Sequence, residues 1–344
     1  SNQKIKESRN TRRFNEINLN HRSENINVTS INIDFDKNLN KKDFYYGVES
    51  IYNYVKSNAK MNNINDNFES IIPTRYPDKG TDFFSNSIYI LFKNSFNKIK
   101  YNAGIRANNS YLNAKLSNSF YDFDFNEIKI NNTSITGNIG LRYDKGVSVL
   151  KFQYSNGFRS PNLDDIGKIF DSEPGNVIIP NPNLKPEIAN NFEVNYEINT
   201  MKLNFQNSLY YIRLNNAITR SVGNYNGQDS ILYDGELSRV QKLKNTGKAN
   251  VYGFSSKLSY KLSKNILLNK TISYNKSYDI SNKKPLRHSP PLFGKFQINY
   301  KFKNLEIIYN LLYNGRKKIK NFSESELNKL YLYTKDGSPS WMTH

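Results

Sequence analysis

Seven side chains on loop-like stretches of this sequence combine a cation or imidazole with an aromatic ring: Arg75, Tyr76, Arg159, Arg220, Tyr225, Arg287 and His288. A guanidinium holds a carboxylate or phosphate through paired hydrogen bonds and stacks on ring faces. Such a set suits capture of an anionic or aromatic solute, while each residue also serves as ordinary loop structure. Other chemistry is poorly provided for. His21, His288 and His344 are far apart, with no H-x-x-x-H spacing, so no metal site is expected. The absence of cysteine removes disulfides, thiolate ligands and thiol nucleophiles together. Asp164 and Asp165, with Glu173 nearby, are equally solvated loop charges or acceptors for local N–H groups. No G-x-S-x-G elbow, P-loop or G-x-G-x-x-G run occurs. Neither an enzyme nor a bound cofactor is expected.

These residues sit between segments whose apolar side chains recur at every second position, as half-buried strands require. Ile31, Ile33 and Phe35 mark the first, and Tyr46, Val48, Tyr52 and Tyr54 the second. Leu150, Phe152 and Tyr154 oppose Lys151, Gln153 and Ser155, and Leu305, Ile307, Tyr309, Leu311 and Tyr313 close the series. About twelve such segments are legible, with residues 1–24 reading as the tail of a loop and 314–344 as loop. Ser323 with Glu326 marks a capping box for a short helix in that last stretch. The chain then stops after Trp341 without a closing strand, as an internal fragment of a longer protein would.

Connections alternate strictly between a few residues and many. That asymmetry belongs to spanning barrels with short periplasmic turns and long extracellular loops. The expected fold is therefore all-β: an antiparallel transmembrane β-barrel, partial, in one domain over 1–344. A mean hydropathy of −0.73 excludes an ordinary spanning helix. It does not exclude a barrel, which shows lipid only alternate residues. The polar face of the same strands carries Glu49, Arg106, Arg142, Lys151, Gln153, Glu193 and Gln206, which would face a lumen and meet water, a plug or a solute. Two features fit less well. Lys270 falls in phase with Leu268, Ile272 and Tyr274, so it sits near an interface or the strand bulges. Ile308 and Leu312 land on the lumen face, which a protein plug would explain. The net charge of +19 is spread along the chain and does not by itself indicate nucleic acid.

Residues 157–187, GFRSPNLDDIGKIFDSEPGNVIIPNPNLKPE, carry five prolines and cannot be a paired central strand. This stretch, with TRYPDKG, NGQDSILYDGELS, PLRHSPP and the closing GSPSW, resembles in order and spacing the later barrel of TonB-dependent outer-membrane receptors of the Bacteroidetes type. The resemblance implies about 12 of about 22 barrel strands, the plug domain and the terminal strands being absent. It also implies residence in the outer membrane of a Gram-negative cell. The function implied is capture of a scarce solute such as an iron–siderophore, haem or cobalamin at extracellular loops, then import driven through TonB acting on the plug. Implied partners are outer-membrane lipid, the plug of the same chain, the TonB complex and a small chelate or vitamin-like ligand, with no nucleic acid. A plugless porin or surface-binding barrel is the alternative.

Overall fold

The computed structural model describes every residue except Arg13, Lys41, Asn118, Lys168, Pro174, Thr246, His288, Asn328 and Lys329; the side chains of 170–173, 324 and 325 are likewise outside the description. Fourteen strands form one continuous wall. They are β1 (Asn2–Thr11), β2 (Asn18–Leu39), β3 (Lys42–Asn63), β4 (Thr81–Phe96), β5 (Ile99–Lys115), β6 (Glu127–Lys145) and β7 (Ser148–Arg159), followed by β8 (Glu187–Asn199), β9 (Leu203–Asn215), β10 (Lys248–Lys261), β11 (Ile266–Asp279), β12 (Phe293–Phe302), β13 (Leu305–Asn314) and β14 (Trp341–Thr343). Each pairs antiparallel with the next in chain order. The short connections, such as 97–98 and 303–304, all lie at one end; 64–80, 160–186 and 216–247 lie at the other. Asn40, Asn97 and Gly146 take positive φ in three of the tight turns, where these residue types tolerate it best.

The ladder register fixes which side chains share a face. Val48, Ile88, Ala107 and Ile135 form one cross-strand row over β3–β6, and the next row towards the turns is Tyr46, Ile90, Ile105 and Gly137. Ile88 is 60% exposed and Ile139 63%, so this face is uncovered. A contiguous apolar surface of this kind marks an interaction or membrane face. On β6 it runs from Ile135 to Tyr143, nine residues, close to the 9–11 that cross a bilayer on a tilted strand. Its upper limit is a polar row, Ser50, Asn86, Asn109 and Thr133, in which Ser50 Oγ donates to Asn86 at 2.7 Å and Asn109 donates to Thr133 at 3.1 Å. Above that lie the rings of Tyr52, Phe84 and Tyr111, in tilted contact. All seven expected lumen residues fall on the opposite face.

Two expectations need correction, and one of the two alternatives for Lys270 falls. Residues 2–11 are a strand rather than loop, and β2 begins at Asn18. Both faces of β1 are polar, so period-two alternation had nothing to mark. The chain end also forms a strand, with Trp341, Met342 and Thr343 paired to Asn314, Tyr313 and Leu312. Lys270 is not excused by a bulge: it lies between Leu258 and Phe296 in ladders that run without a shift. It stays on the apolar face, exposed, four residues from the turn end of β11. At the expected Ser323–Glu326 box, Ser323 donates to Glu326 Oε2 from its N–H at 2.7 Å and from its hydroxyl at 2.9 Å, ahead of the helix Glu324–Leu327. Ile308 and Leu312 do face inward, where both are exposed.

A lysine near mid-band costs roughly 2–4 kcal/mol, less where its stem lets the ammonium reach an interface. Lys270→Leu is therefore expected to stabilise the complete receptor by about 2 kcal/mol, read as a higher denaturant midpoint for unfolding from vesicles.

Candidate functional site

At the long-loop end, inward positions of β5 and β6 become apolar. Leu112, Ala114, Ile128 and Ile130 are buried there under Leu116, Ile166 and Leu184 from the connections. Loops therefore fold onto the inside of the wall. Their centre is a small sheet made by residues 170–173, Asn176–Ile179, Glu236–Asn245 and Ile218–Val222, with Ser230–Tyr233 as a further arm. Val177, Ile179, Ile231, Tyr233 and Val240 form a second core with Phe123. Tyr225 meets Phe123 edge-on at 5.6 Å and donates to the Asp122 carbonyl at 3.0 Å.

The proline-rich stretch contributes a polar node. Asn162 and Asp165 cap each other reciprocally at the start of the helix Leu163–Ile166. Asp165 also accepts from Arg159 Nη1 at 2.7 Å, and Arg159 Nε reaches Glu187 at the base of the loop. Tyr76 donates to Asp164 at 2.8 Å, and Arg75 lies over the Tyr76 ring at 5.0 Å while reaching Glu7 at 3.7 Å. A methyl group on Gly167 would sit 3.1 Å from Pro77, so glycine there lets TRYPDKG seat against the helix. Burial and the bond to Asp164 push the Tyr76 phenol well above its ordinary range.

Arg75, Tyr76 and Arg159 are thus gathered at one node. Tyr225 belongs to the aromatic core, Arg220 stands on the small sheet, Arg287 is exposed on the β11–β12 connection, and His288 lies outside the described residues. On the inner wall Glu49 pairs with Arg106 at 2.8 Å, Arg142 with Asp144 at 2.7 Å and Lys151 with Glu197 at 2.6 Å. Glu193 accepts from Ser208 at 2.8 Å, and Gln153 and Gln206 are exposed.

Sequence reasoning missed a cleft of about 610 Å³, lined by Glu7, Arg9, Arg22, Glu24, Arg75 and Tyr121 among others. β1 and the start of β2 carry no apolar alternation, so nothing local marks the strands that form this wall of the cleft. The far side is the tip of the hairpin 230–245, where Asp234 (φ 47°) and Gly235 (φ 79°) form a two-residue turn. Asp-Gly between two strand-like runs is a strong hairpin signal and was legible. Arg22 Nη2 donates to both Asp234 oxygens at 2.8 and 2.9 Å, tying the tip across to the wall. Tyr121 is pushed up to about 12 by burial, with Asp234 adding to the shift.

The family described as TonB dependent receptor-like, beta-barrel, matches residues 2–344. The chain belongs to the TonB-dependent receptor family. Among solved structures, the copper transporter OprC is similar at a TM-score of 0.72 and 12% identity, over 94% of this chain and 47% of that one. The ferric yersiniabactin uptake receptor FyuA of Yersinia pestis gives 0.62 and 12%, over 98% and 48%. The unliganded ferric citrate transporter FecA gives 0.62 and 14%, over 97% and 48%. At these identities the likeness is one of fold. This TonB-dependent receptor chain spans about half the length of each of those structures. No curated protein sequence matches it.

Glu24 is buried, and desolvation raises its carboxyl above the ordinary range, opposed by Arg75. Its folded pKa exceeds the unfolded one, so the native state holds the proton more tightly. The cost of the charged form is absent below the unfolded pKa and grows as pH rises through the folded pKa. Glu24→Gln should raise the unfolding midpoint at about pH 8 and leave it unchanged at about pH 3.5, below the ordinary carboxylate range.

Proposed function

We propose that the chain is the wall and loop cap of an outer-membrane receptor that captures a scarce solute of the iron–siderophore, haem, cobalamin or metal-chelate class. The observation that carries this reading is the arrangement at the mouth. Extracellular loops fold onto the inner wall and leave a cleft rimmed by arginines, carboxylates and a tyrosine, the donor types that hold a charged chelate. The capture surface includes Arg75, Tyr76 and Arg159, with Arg220, Tyr225, Arg287 and His288 as further loop contacts. The apolar band sits in lipid, and the wall's two outer edges, β1 and β14, pair with the rest of a closed barrel. A plug fills the lumen against Glu49, Arg106, Arg142, Lys151, Gln153, Glu193, Gln206 and the exposed Ile308 and Leu312. TonB acts on that plug, and solute passes once the plug rearranges. Family membership and neighbours named for copper, ferric citrate and ferric yersiniabactin transport support the class and leave the individual solute open.

The test is binding of ferric citrate, a ferric catecholate chelate, haemin and cyanocobalamin to the complete receptor. One of the four is expected to bind. Arg75→Ala is expected to raise its Kd about tenfold, the loss of one charge-assisted hydrogen bond. Binding of none, or an unchanged Kd, contradicts the reading.

A further inference from the structure

Two shallow apolar grooves cross the outward face over β2–β7, of about 460 and 470 Å³. They exist because β5 carries alanine at two outward positions, Ala103 and Ala107, between Tyr101, Ile105 and their neighbours. Ala107 lies between Ile88 and Ile135 in its row, and Ala103 between Phe92 and Ile139. The first groove is walled by Phe35, Tyr46 and Val48 against Ile88 and Ile105. The second runs between Phe92 and Tyr154, with Ala103 and Gly137 among its lining. Ile90 and Ile105 line both, so the grooves run side by side along one shared ridge. Troughs of this kind suit two hydrocarbon chains lying along the wall.

Their turn-side end is basic. Lys37 stands beside Phe44, Lys42 beside Asn94, and Lys98 in the β4–β5 turn. All three are exposed, and among the described residues none is in an ion pair. Asn94 donates to the Tyr101 hydroxyl at 2.7 Å, which adds polar groups at the same level. The bias extends along the whole rim. Segments 36–43, 93–100, 142–151, 197–202, 257–264 and 301–306 hold fifteen Lys or Arg against five Asp or Glu, a difference of ten out of the net +19. Ala103 and Ala107 lie five and nine residues beyond Lys98. At ~3.3 Å per residue and a tilt of about 45° that is roughly 12 and 21 Å, the depth of an acyl chain below its phosphate.

We propose that β2–β7 hold one diacyl anionic phospholipid of the leaflet on the short-turn side, its chains in the two grooves and its phosphate at Lys37, Lys42 and Lys98. This rests on the reading that the apolar band lies in a bilayer. The complete receptor is reconstituted in equal mixtures of phosphatidylglycerol and phosphatidylcholine with identical acyl chains, and the lipid retained is measured by native mass spectrometry. Phosphatidylglycerol is expected to be enriched about fivefold, as an anionic surface attracts juxtamembrane lysines, and the enrichment should fall with added salt. The triple variant Lys37→Gln, Lys42→Gln, Lys98→Gln should bring the ratio near unity. Ala103→Leu with Ala107→Leu should reduce retention of both lipids. No enrichment in the unmodified receptor, enrichment indifferent to salt, or a ratio shared by receptor and triple variant overturns the site. Insertion into pure phosphatidylcholine vesicles is the control. Failure to insert defeats the bilayer reading, whereas insertion without headgroup preference defeats the lipid site alone.

Discussion

An unpaired backbone N–H or C=O has nowhere to turn in hydrocarbon, so a wall that crosses it must carry an uninterrupted ladder. That demand is met from β2 to β13, each strand joined to its neighbours through the band with no slip of register. Once the ladder is continuous, the face of every side chain is decided, because neighbours along a strand point opposite ways. Bulky apolar groups line up in outward rows, while Glu49, Arg106, Lys151 and Glu197 meet across the inside as ion pairs. The same rigidity explains why Lys270 stays among Leu258 and Phe296: moving one residue would move a whole strand.

Beyond the polar row at Ser50, Asn86, Asn109 and Thr133 the demand lapses, and the chain uses the freedom. β2 and β3 continue to lengths of 22 residues, about twice what the bilayer needs. Their upper parts carry Arg22, Glu24 and Ser57 instead of an apolar stripe. Above them the connections bury one small core against Leu112 and Ile128 and a second of their own around Val177 and Val240. The Arg22–Asp234 bridge then draws the hairpin tip across to the opposite part of the wall. The loop cleft and its arginines thus sit on a second fold braced by the first.

The difference also explains what could be read without coordinates. Ile31, Ile33 and Phe35, or Leu305 to Tyr313, announce their strands because the bilayer enforces period two. β1 has no such enforcement, being polar on both faces, and β14 is only three residues long. Arg75, Tyr76 and Arg159 were recognisable as chemical groups, yet their convergence on Asp164 and Asp165 depends on how two distant loops meet, which no local pattern encodes. Arg9, Arg22 and Glu24 were hidden by the same lack of alternation that hid their strands. The Asp234–Gly235 turn was the one missed feature with a clear local signature.

Side-chain accessibility along β6 tests the central claim most directly. Spin labels placed singly at positions 135 to 143 in the reconstituted complete receptor should alternate. Odd positions should be open to oxygen dissolved in lipid, and even positions to a water-soluble nickel chelate or shielded by neighbouring protein. Odd positions that are closed to oxygen, or no alternation at all, would contradict it.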